Sequence, residues 1–496
     1  MRFIHTADWH LGRIFLGVQL TEDQARLLDQ LVDLAKSVKP DAVLVAGDIY
    51  DRSVPPPEAV ALLDDVLSRL VLDVGTRVVL IGGNHDSPER LAFGSRVLGR
   101  QRLHVFGGLG RPRRGTARRG PFCPSSAGWA SDETLGSGVP LLLEDRHGPV
   151  EIWAVPYADP ASVREWLGEA GKDGGEAGED GGEGSGGEAD RACRIPDHDA
   201  AMRAVLGRLG AGAVGAVPGM PETPTAARPG PGPGRRSILL THAFVAGGRA
   251  SESERPLTVG GTGTVDPAVF EGFSYVALGH LHRPQSVGGE AIRYAGSLFK
   301  YSFDEADHAK SVDVVELNGD GTFNRESVPL RPSRDVRRIT GRFADLLRGV
   351  GASGAGGVAS PGAGDAAGAA DTPGGTRPGV GGRDDYLLVT LLDEGPILDA
   401  MARLREVYPN VLRIERAEWT QRAEGATEGA GLAGGPGGPA GPGAGPGAAP
   451  RRRTERELFG AFFADVTGGR LSGDEQAALD EVLEDVRRAE REVGRP

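Results

Sequence analysis

The chain has 496 residues with 69 acidic against 56 basic side chains, a formal net charge of -13, which argues against nucleic-acid binding by this chain alone. That length accommodates two or three domains, and the 39% apolar content suits globular material diluted by segments holding many of the 78 glycines and 35 prolines. No apolar run approaches the roughly 20 residues that span a bilayer. The first residues lack a signal-peptide pattern, and two cysteines, Cys123 and Cys193, argue against a disulfide framework and for the cytosol.

From Met1 to about Leu109 strand and helix patterns alternate. "RFIHTAD" reads as a short apolar strand, and "QARLLDQLVDLAKSV" carries Leu27, Leu28, Leu31 and Leu34 at helical spacing. "DAVLVAGD" is a second buried strand, "PEAVALLDDVLSRL" a second helix and "RVVLIGGN" a third strand. This alternation predicts an α/β sheet with ligands at the carboxyl ends of its strands. "VEIWAVPY" reads as a further strand.

Composition then changes. Residues 168–190 are almost all Gly, Glu and Asp, and 210–234 are rich in Gly, Ala and Pro. Neither stretch buries enough apolar surface to offset its ordering entropy, so both are predicted to be disordered on either side of a short helix around 199–209. Order is predicted to resume at "RSILLTHAFV" and to continue through "FSYVALGHLH" and "IRYAGSL".

A second unit, 334–422, has a strand, helix, strand, helix, strand pattern with a Gly/Ala insert at 349–382. A Gly/Pro linker over 423–452 follows, and 453–496 is predicted to be helical. There Thr454 with Glu457 and Ser472 with Glu475 fit capping boxes. Leu458, Phe459, Phe462, Phe463 and Val466, then Leu479, Val482, Leu483 and Val486, form apolar stripes. So short a tail cannot bury both alone, so it either packs on its own body or docks on another protein.

Five segments carry the chemistry: "DWH" (Asp8, His10), "GDIYD" (Asp48, Asp51), "GGNHD" (Asn84, His85, Asp86), "LTHAF" (His242) and "LGHLH" (His280, His282). Each follows an apolar strand, which predicts that all five lie at one edge of a single sheet. Alone, each is weak, since Gly-Asp is common in turns and a histidine after a strand is usually hydrogen-bonded structure. Together they hold five of the ten histidines beside acids. Carboxylate, imidazole and amide donors without thiolate suit Mn, Fe or Zn. Two ions roughly 3.5–4 Å apart need a bridging carboxylate, and such a pair clamps the attacking and leaving oxygens of an in-line phosphoryl displacement.

In this order the motifs D-x-H, G-D-x-x-D, G-N-H-D, H and G-H-x-H resemble the calcineurin-like metallophosphoesterases. "HTADWHLGR", "VAGDIYDRSVPPPEA" and "GGNHDSPERL" resemble, within that group, the bacterial SbcD family of exonuclease subunits. The resemblance spans 1–317 apart from the inserts and continues more weakly through 334–422. It implies an α/β metallophosphoesterase β-sandwich flanked by helices, a small α+β capping domain and a helical carboxyl-terminal tail that binds a partner. It further implies that Asp8, His10, Asp48 and His282 hold one metal ion, and that bridging Asp48, Asn84, His242 and His280 hold a second, Mn2+ foremost. His85 would protonate the leaving oxygen or stabilise its charge, and Asp51 would orient His85 and keep it cationic. The implied activity is exonuclease and endonuclease cleavage of DNA. Its implied setting is a homodimer within a heterotetramer with an SbcC-type SMC-like ATPase, nucleoid-associated in the cytoplasm and away from membranes.

Two other classes compete: a stand-alone metallophosphatase or cyclic-nucleotide phosphodiesterase, and a scaffold with a degenerate site. The capping-like domain and tethered tail speak against the first, and the filled ligand positions against the second. His5 and Asp86 lie beside ligands and are expected to hydrogen-bond rather than ligate. Arg52 either touches substrate phosphate or stands exposed, and the basic run Arg111–Gly120 is either a solvated loop or a phosphate track. His104, His147, His198 and His308 have no motif context and read as structural or surface residues. Ser297 resembles a family turn beside the site, with no role assigned.

Overall fold

The computed structural model describes residues 1–109, 140–171, 195–210, 235–254, 263–349, 382–393, 395 and 397–417, together with 456, 472–473 and 476–480. The basic run Arg111–Gly120, both cysteines, the 423–452 linker, nearly all of 453–496 and most of the 168–190, 210–234 and 349–382 stretches lie outside them.

The strands are β1 (Arg2–Thr6), a hairpin of β2 (Ile14–Phe15) and β3 (Val18–Gln19), β4 (Ala42–Ala46), β5 (Arg77–Ile81), β6 (Leu103–Phe106), β7 (Leu141–Asp145) and β8 (Gly148–Val155). Then come β9 (Ser237–His242), β10 (Phe244–Val245), β11 (Thr264–Val265), β12 (Tyr275–Gly279), β13 (Gln285–Ser286), β14 (Ile292–Tyr294), β15 (Ser311–Leu317) and β16 (Phe323–Pro329). Finally come β17 (Val336–Gly341), β18 (Tyr386–Leu391) and β19 (Val411–Arg416).

These strands build two six-stranded sheets rather than the single sheet predicted. One has the order β16-β15-β1-β4-β5-β6 and the other β13-β14-β12-β9-β8-β7. The motifs after β1, β4 and β5 belong to the first sheet, and those at β9 and β12 to the second. Strand periodicity cannot reveal this division, because β9 and β12 are apolar on both faces whichever sheet they join.

The sheets pack face to face. Leu44 and Ala46 of β4 and Val79 and Ile81 of β5 meet Ile238 and Leu240 of β9 and Ala277 of β12 in the interior. Alternate residues point the other way, as a strand's period of two requires. Val43 and Val45 lie under Leu27, Leu28, Leu31 and Ala35 of the helix Thr21–Val38. Leu239 and Leu278 lie under Val163 and Trp166 of the helix Pro160–Gly171 and Val205 of the helix His198–Leu209. The result is a β-sandwich flanked by helices. Predicted core residue Leu34 is only partly buried, its place on the helix face taken by Val32 and Ala35.

β17, β18 and β19 form a parallel sheet with the helices Phe343–Leu347 and Ala400–Arg405. Leu387 and Val389 of β18 join a core with Phe343 and Leu404, whereas Tyr386 and Leu388 join the core beneath the Thr21–Val38 helix. Buried Asp23 fastens that second face: its carboxylate accepts from Arg334 Nε and Nη2, each at 3.0 Å, and from Tyr386 Oη at 2.8 Å. Met1–Ala426 is one compact unit and Thr427–Pro496 a second. Within the second, residues 476–480 are helical and Arg456 pairs with Asp480 at 3.0 Å. No helix among the described residues is long and apolar enough to cross a membrane.

Candidate metal centre

Asp8 and His10 follow β1, Asp48 follows β4, Asn84 and His85 follow β5, His242 ends β9, and His280 and His282 follow β12. The loops are laced together by backbone bonds from Asp8 N–H to Gly47 O (3.1 Å) and from His10 N–H to Asp48 O (2.9 Å). Asp8, His10, Asp48 and His280 all have positive φ, at 51°, 46°, 48° and 105°. Non-glycine residues in such conformations cost on the order of 1–3 kcal/mol each and persist where the surroundings over-determine them. Here that concentration of strain coincides with the chemistry.

Two glycines allow the approach. A Cβ on Gly83 would stand 2.1 Å from Asp48 Oδ1, and one on Gly279 would stand 1.7 Å from Ala46 O, where β4 and β12 come together. Gly83 therefore serves to admit Asp48 rather than to turn the chain.

Among the described residues three Asp/His groups could hold a cation: Asp8, His10 and Asp48; Asp48, His242 and His280, which shares Asp48 with the first; and His10, Asp51 and His85. His10 Nε2 lies 3.1 Å from His282 Nε2 and 3.6 Å from Asp48 Oδ2, with Asp8 in the same set. His242 Nε2 lies 3.5 Å from the same Asp48 oxygen, and Asn84 Oδ1 lies 2.9 Å from His242 Nε2 and 3.2 Å from His280 Nδ1. Burial, then neighbouring histidines, hold His10 and His280 well below the usual imidazole range, and burial also lowers His242. These rings are neutral lone-pair donors. Burial, then the Asp48 carboxylate, pushes Asp8 well up.

This donor set fits cations. His242 commits its Nδ1 proton to Ala46 O at 2.9 Å, so its Nε2 is a bare lone pair facing the Asn84 and Asp48 oxygens. Asp8 Oδ2 is buried without a hydrogen-bond partner. Converging acceptors in a buried site need positive charge between them.

Asp86 braces the loop as expected, accepting N–H bonds from Ile49 (3.0 Å), Tyr50 (2.9 Å) and Gly83 (2.9 Å). His85 Nδ1 lies 2.8 Å from the backbone carbonyl of Asp51, and Asp48 Oδ1 accepts the His85 backbone N–H at 2.9 Å. The Asp51 carboxylate accepts from Arg13 Nη1 at 2.7 Å and lies 3.8 Å from His10 Nδ1, in one Asp/His group with His10 and His85. Arg52 is exposed, its Nε 3.5 Å from Asp51 Oδ2. His5 sits in the sandwich interior between Tyr275 Oη (3.1 Å) and Leu278 O (3.2 Å).

Supporting residues without a motif emerge from the structure. Gln24 donates to the carbonyls of Trp9 (3.0 Å) and His10 (2.8 Å), pinning the first loop. Its signal was a polar residue on the apolar stripe of its helix. His282 Nδ1 lies 2.7 Å from Ser253 Oγ and 3.1 Å from Glu305 Oε1, which turns Nε2 toward His10. Glu305 is buried and paired with Lys310, whose Nζ also donates to Ser297 Oγ at 2.7 Å. Burial would raise the Glu305 carboxyl, but Lys310 and His282 outweigh it and hold it far below the carboxylate range. His308 accepts from Arg283 Nε at 3.0 Å, and His198 bonds Tyr157 at the metal edge, so neither stands apart from the site's surroundings.

The calcineurin-like phosphoesterase family model matches residues 1–173. That match and the paired Asp/His groups define the chain's amino-terminal domain as a calcineurin-like metallophosphoesterase. A second family model, SbcD_C, described as the type 5 capsule protein repressor C-terminal domain, matches residues 332–467. With both domains in this order, the chain belongs to the SbcD family. Among solved structures, a dimetal phosphatase from Danio rerio aligns at 12% identity over 67% of this chain and 99% of its own, with a TM-score of 0.31.

Proposed function

We propose that the chain is the nuclease subunit of an SbcC–SbcD-type complex. It hydrolyses phosphodiester bonds at double-stranded DNA ends and in single-stranded or hairpin DNA. It works with an SMC-like ATPase in cytoplasmic, nucleoid-associated DNA repair, replication and recombination. The observation that carries this reading is the SbcD C-terminal match on the chain whose first domain holds two Asp/His groups around Asp48.

Asp8, His10, Asp48 and His282 would hold one ion, and Asp48, Asn84, His242 and His280 the other, with Mn2+ the metal to test first. Two divalent ions supply a nucleophile at neutral pH and neutralise charge on the phosphoryl oxygens. His85 presents Nε2 to the site, 4.0 Å from Asp48 Oδ2, because Nδ1 is committed to the Asp51 carbonyl. Nε2 is then the atom that gives a proton to the leaving oxygen. Asp51 fixes the ring, and exposed Arg52 meets a phosphate of the strand.

The test is cleavage of end-labelled duplex and hairpin DNA with Mn2+, with and without the ATPase subunit and ATP. Wild-type complex should cut, and His85→Ala and Asp48→Ala should not. Intact DNA beside hydrolysis of bis(p-nitrophenyl) phosphate would favour a small-substrate phosphodiesterase instead.

A further inference from the structure

Tyr157 lies two residues beyond β8, the strand next to β9. Its N–H donates to Gly82 O at 2.9 Å, tying it to the loop that carries Asn84 and His85. Its ring meets the His242 ring edge-on, with centroids 6.2 Å apart and planes at 85°. Its hydroxyl lies 3.0 Å from His198 Nε2. Tyr157 is partly exposed, whereas His198 is buried at the start of a helix capped by Asp197, whose side chain accepts from Ala200 N–H at 2.9 Å.

The proton assignment follows from what His198 lacks. Its Nδ1 is buried without a partner, and burial favours the neutral ring. A neutral imidazole carries one N–H. Placed on Nδ1, that N–H would be a buried unmet donor, whereas placed on Nε2 it donates to Tyr157 Oη. His198 then occupies an oxygen lone pair and leaves the Tyr157 O–H hydrogen without an acceptor among the described residues. The nearby Asp159 carboxylate is turned into the first turn of the next helix, accepting from Ala161 N–H (3.1 Å) and Ser162 N–H (3.0 Å).

An uncommitted O–H at the rim of a cation site suits an anionic oxygen. Tyr157 touches the His242 ring rather than the Asp48 or Asn84 oxygens, so its hydroxyl lies outside the group that would hold the scissile phosphate. We infer that Tyr157 donates a hydrogen bond to a non-bridging oxygen of the neighbouring phosphate on the bound strand, with His198 as the positioning residue that frees its proton. The inference rests on the nuclease reading and adds a contact to it.

The test compares Tyr157→Phe with wild type, each with its ATPase partner and Mn2+, on a single-stranded oligonucleotide and on bis(p-nitrophenyl) phosphate, which has no neighbouring phosphate. The ratio of kcat/KM for the oligonucleotide to that for the small diester should fall about tenfold, through KM, on the scale of one hydrogen bond to a charged oxygen. His198→Phe should share the change, and His198→Gln, which keeps a donor, should restore the ratio. An unchanged ratio in Tyr157→Phe overturns the inference, as does an equal loss on both substrates with loss of bound metal, which would make the ring a prop for His242. If wild type hydrolyses the small diester and no oligonucleotide, the nuclease reading itself fails and this inference with it.

Discussion

Asp51 holds His85 through its backbone, with the carbonyl oxygen 2.8 Å from His85 Nδ1, while its carboxylate is bound to Arg13 at 2.7 Å. The ring is therefore oriented by a contact that does not draw on the Asp51 carboxylate. Asp51→Asn keeps the carbonyl, so cleavage of end-labelled DNA, whose leaving oxygen needs a proton, should fall by less than about tenfold and the alkaline limb of the pH profile should stay in place. His85→Ala should lose about 100-fold or more, the usual share of a general acid. Loss of the half-buried ion pair should lower stability by about 1–2 kcal/mol in thermal denaturation. A shift of the alkaline limb by a full pH unit in Asp51→Asn would falsify the carbonyl account.

Glu305 and Lys310 predict a separable pair of effects. A carboxylate behind a histidine ligand fixes its tautomer and raises its basicity, so Glu305→Gln should weaken metal retention about 10- to 100-fold. Metal content after dialysis against graded chelator reads this directly. The same variant leaves Lys310 as a buried charge without its partner, a loss of about 3–5 kcal/mol. Adding Lys310→Met should recover much of that stability and none of the metal affinity. Recovery of both together would show that Glu305 acts only as packing.

These two cases mark what was legible in the sequence. β4, β5, β9 and β12 stood out because strands covered on both faces are unbroken apolar runs, and the polar residues ending them announced a sheet edge. The sequence does not reveal which strands share a sheet, since hydrogen-bond partners leave no periodicity. Nor does it reveal which atom of a residue acts: Asp51 drew attention for its carboxylate, yet its carbonyl meets His85. Glu305 and Lys310 sit in "SFDEADHAK", which has the composition of a solvated turn, and only the fold carries it behind His282. Tyr157 and His198 are 41 residues apart and belong to no shared motif.

His5 predicts a pH dependence away from the metal edge. Burial, with Asp313 opposing and Arg293 assisting, lowers its pKa from 6.5 to about 4. The unfolded chain takes up this proton near 6.5 and the folded protein only near 4. Stability therefore falls as pH drops through that window and is insensitive to this group above it, by about 3 kcal/mol over the whole range. His5→Gln, which cannot titrate, should flatten the chelator-treated protein's stability curve between pH 6.5 and 4 by up to one proton. Parallel wild-type and variant curves in urea titrations would show that His5 does not titrate in this window.

Gly83 tests the close approach behind the site. A methyl group there would overlap Asp48 Oδ1 and the Asp48 backbone nitrogen, at 2.1 and 2.3 Å. Both belong to a residue already held at φ 48°, so the collision cannot be relieved by rotating a flexible side-chain end. Asp48 must move, and with it Oδ2, which lies 3.6 Å from His10 Nε2 and 3.5 Å from His242 Nε2. Gly83→Ala should therefore lose metal from both sets together, whereas Asn84→Ala should weaken chiefly the His242 and His280 set. Metal titrated to the folded variants distinguishes the two patterns, with circular dichroism confirming the fold. Full retention of two ions per chain by Gly83→Ala would show that the shared oxygen tolerates displacement, and that Asp48 is not the hinge between the two sets.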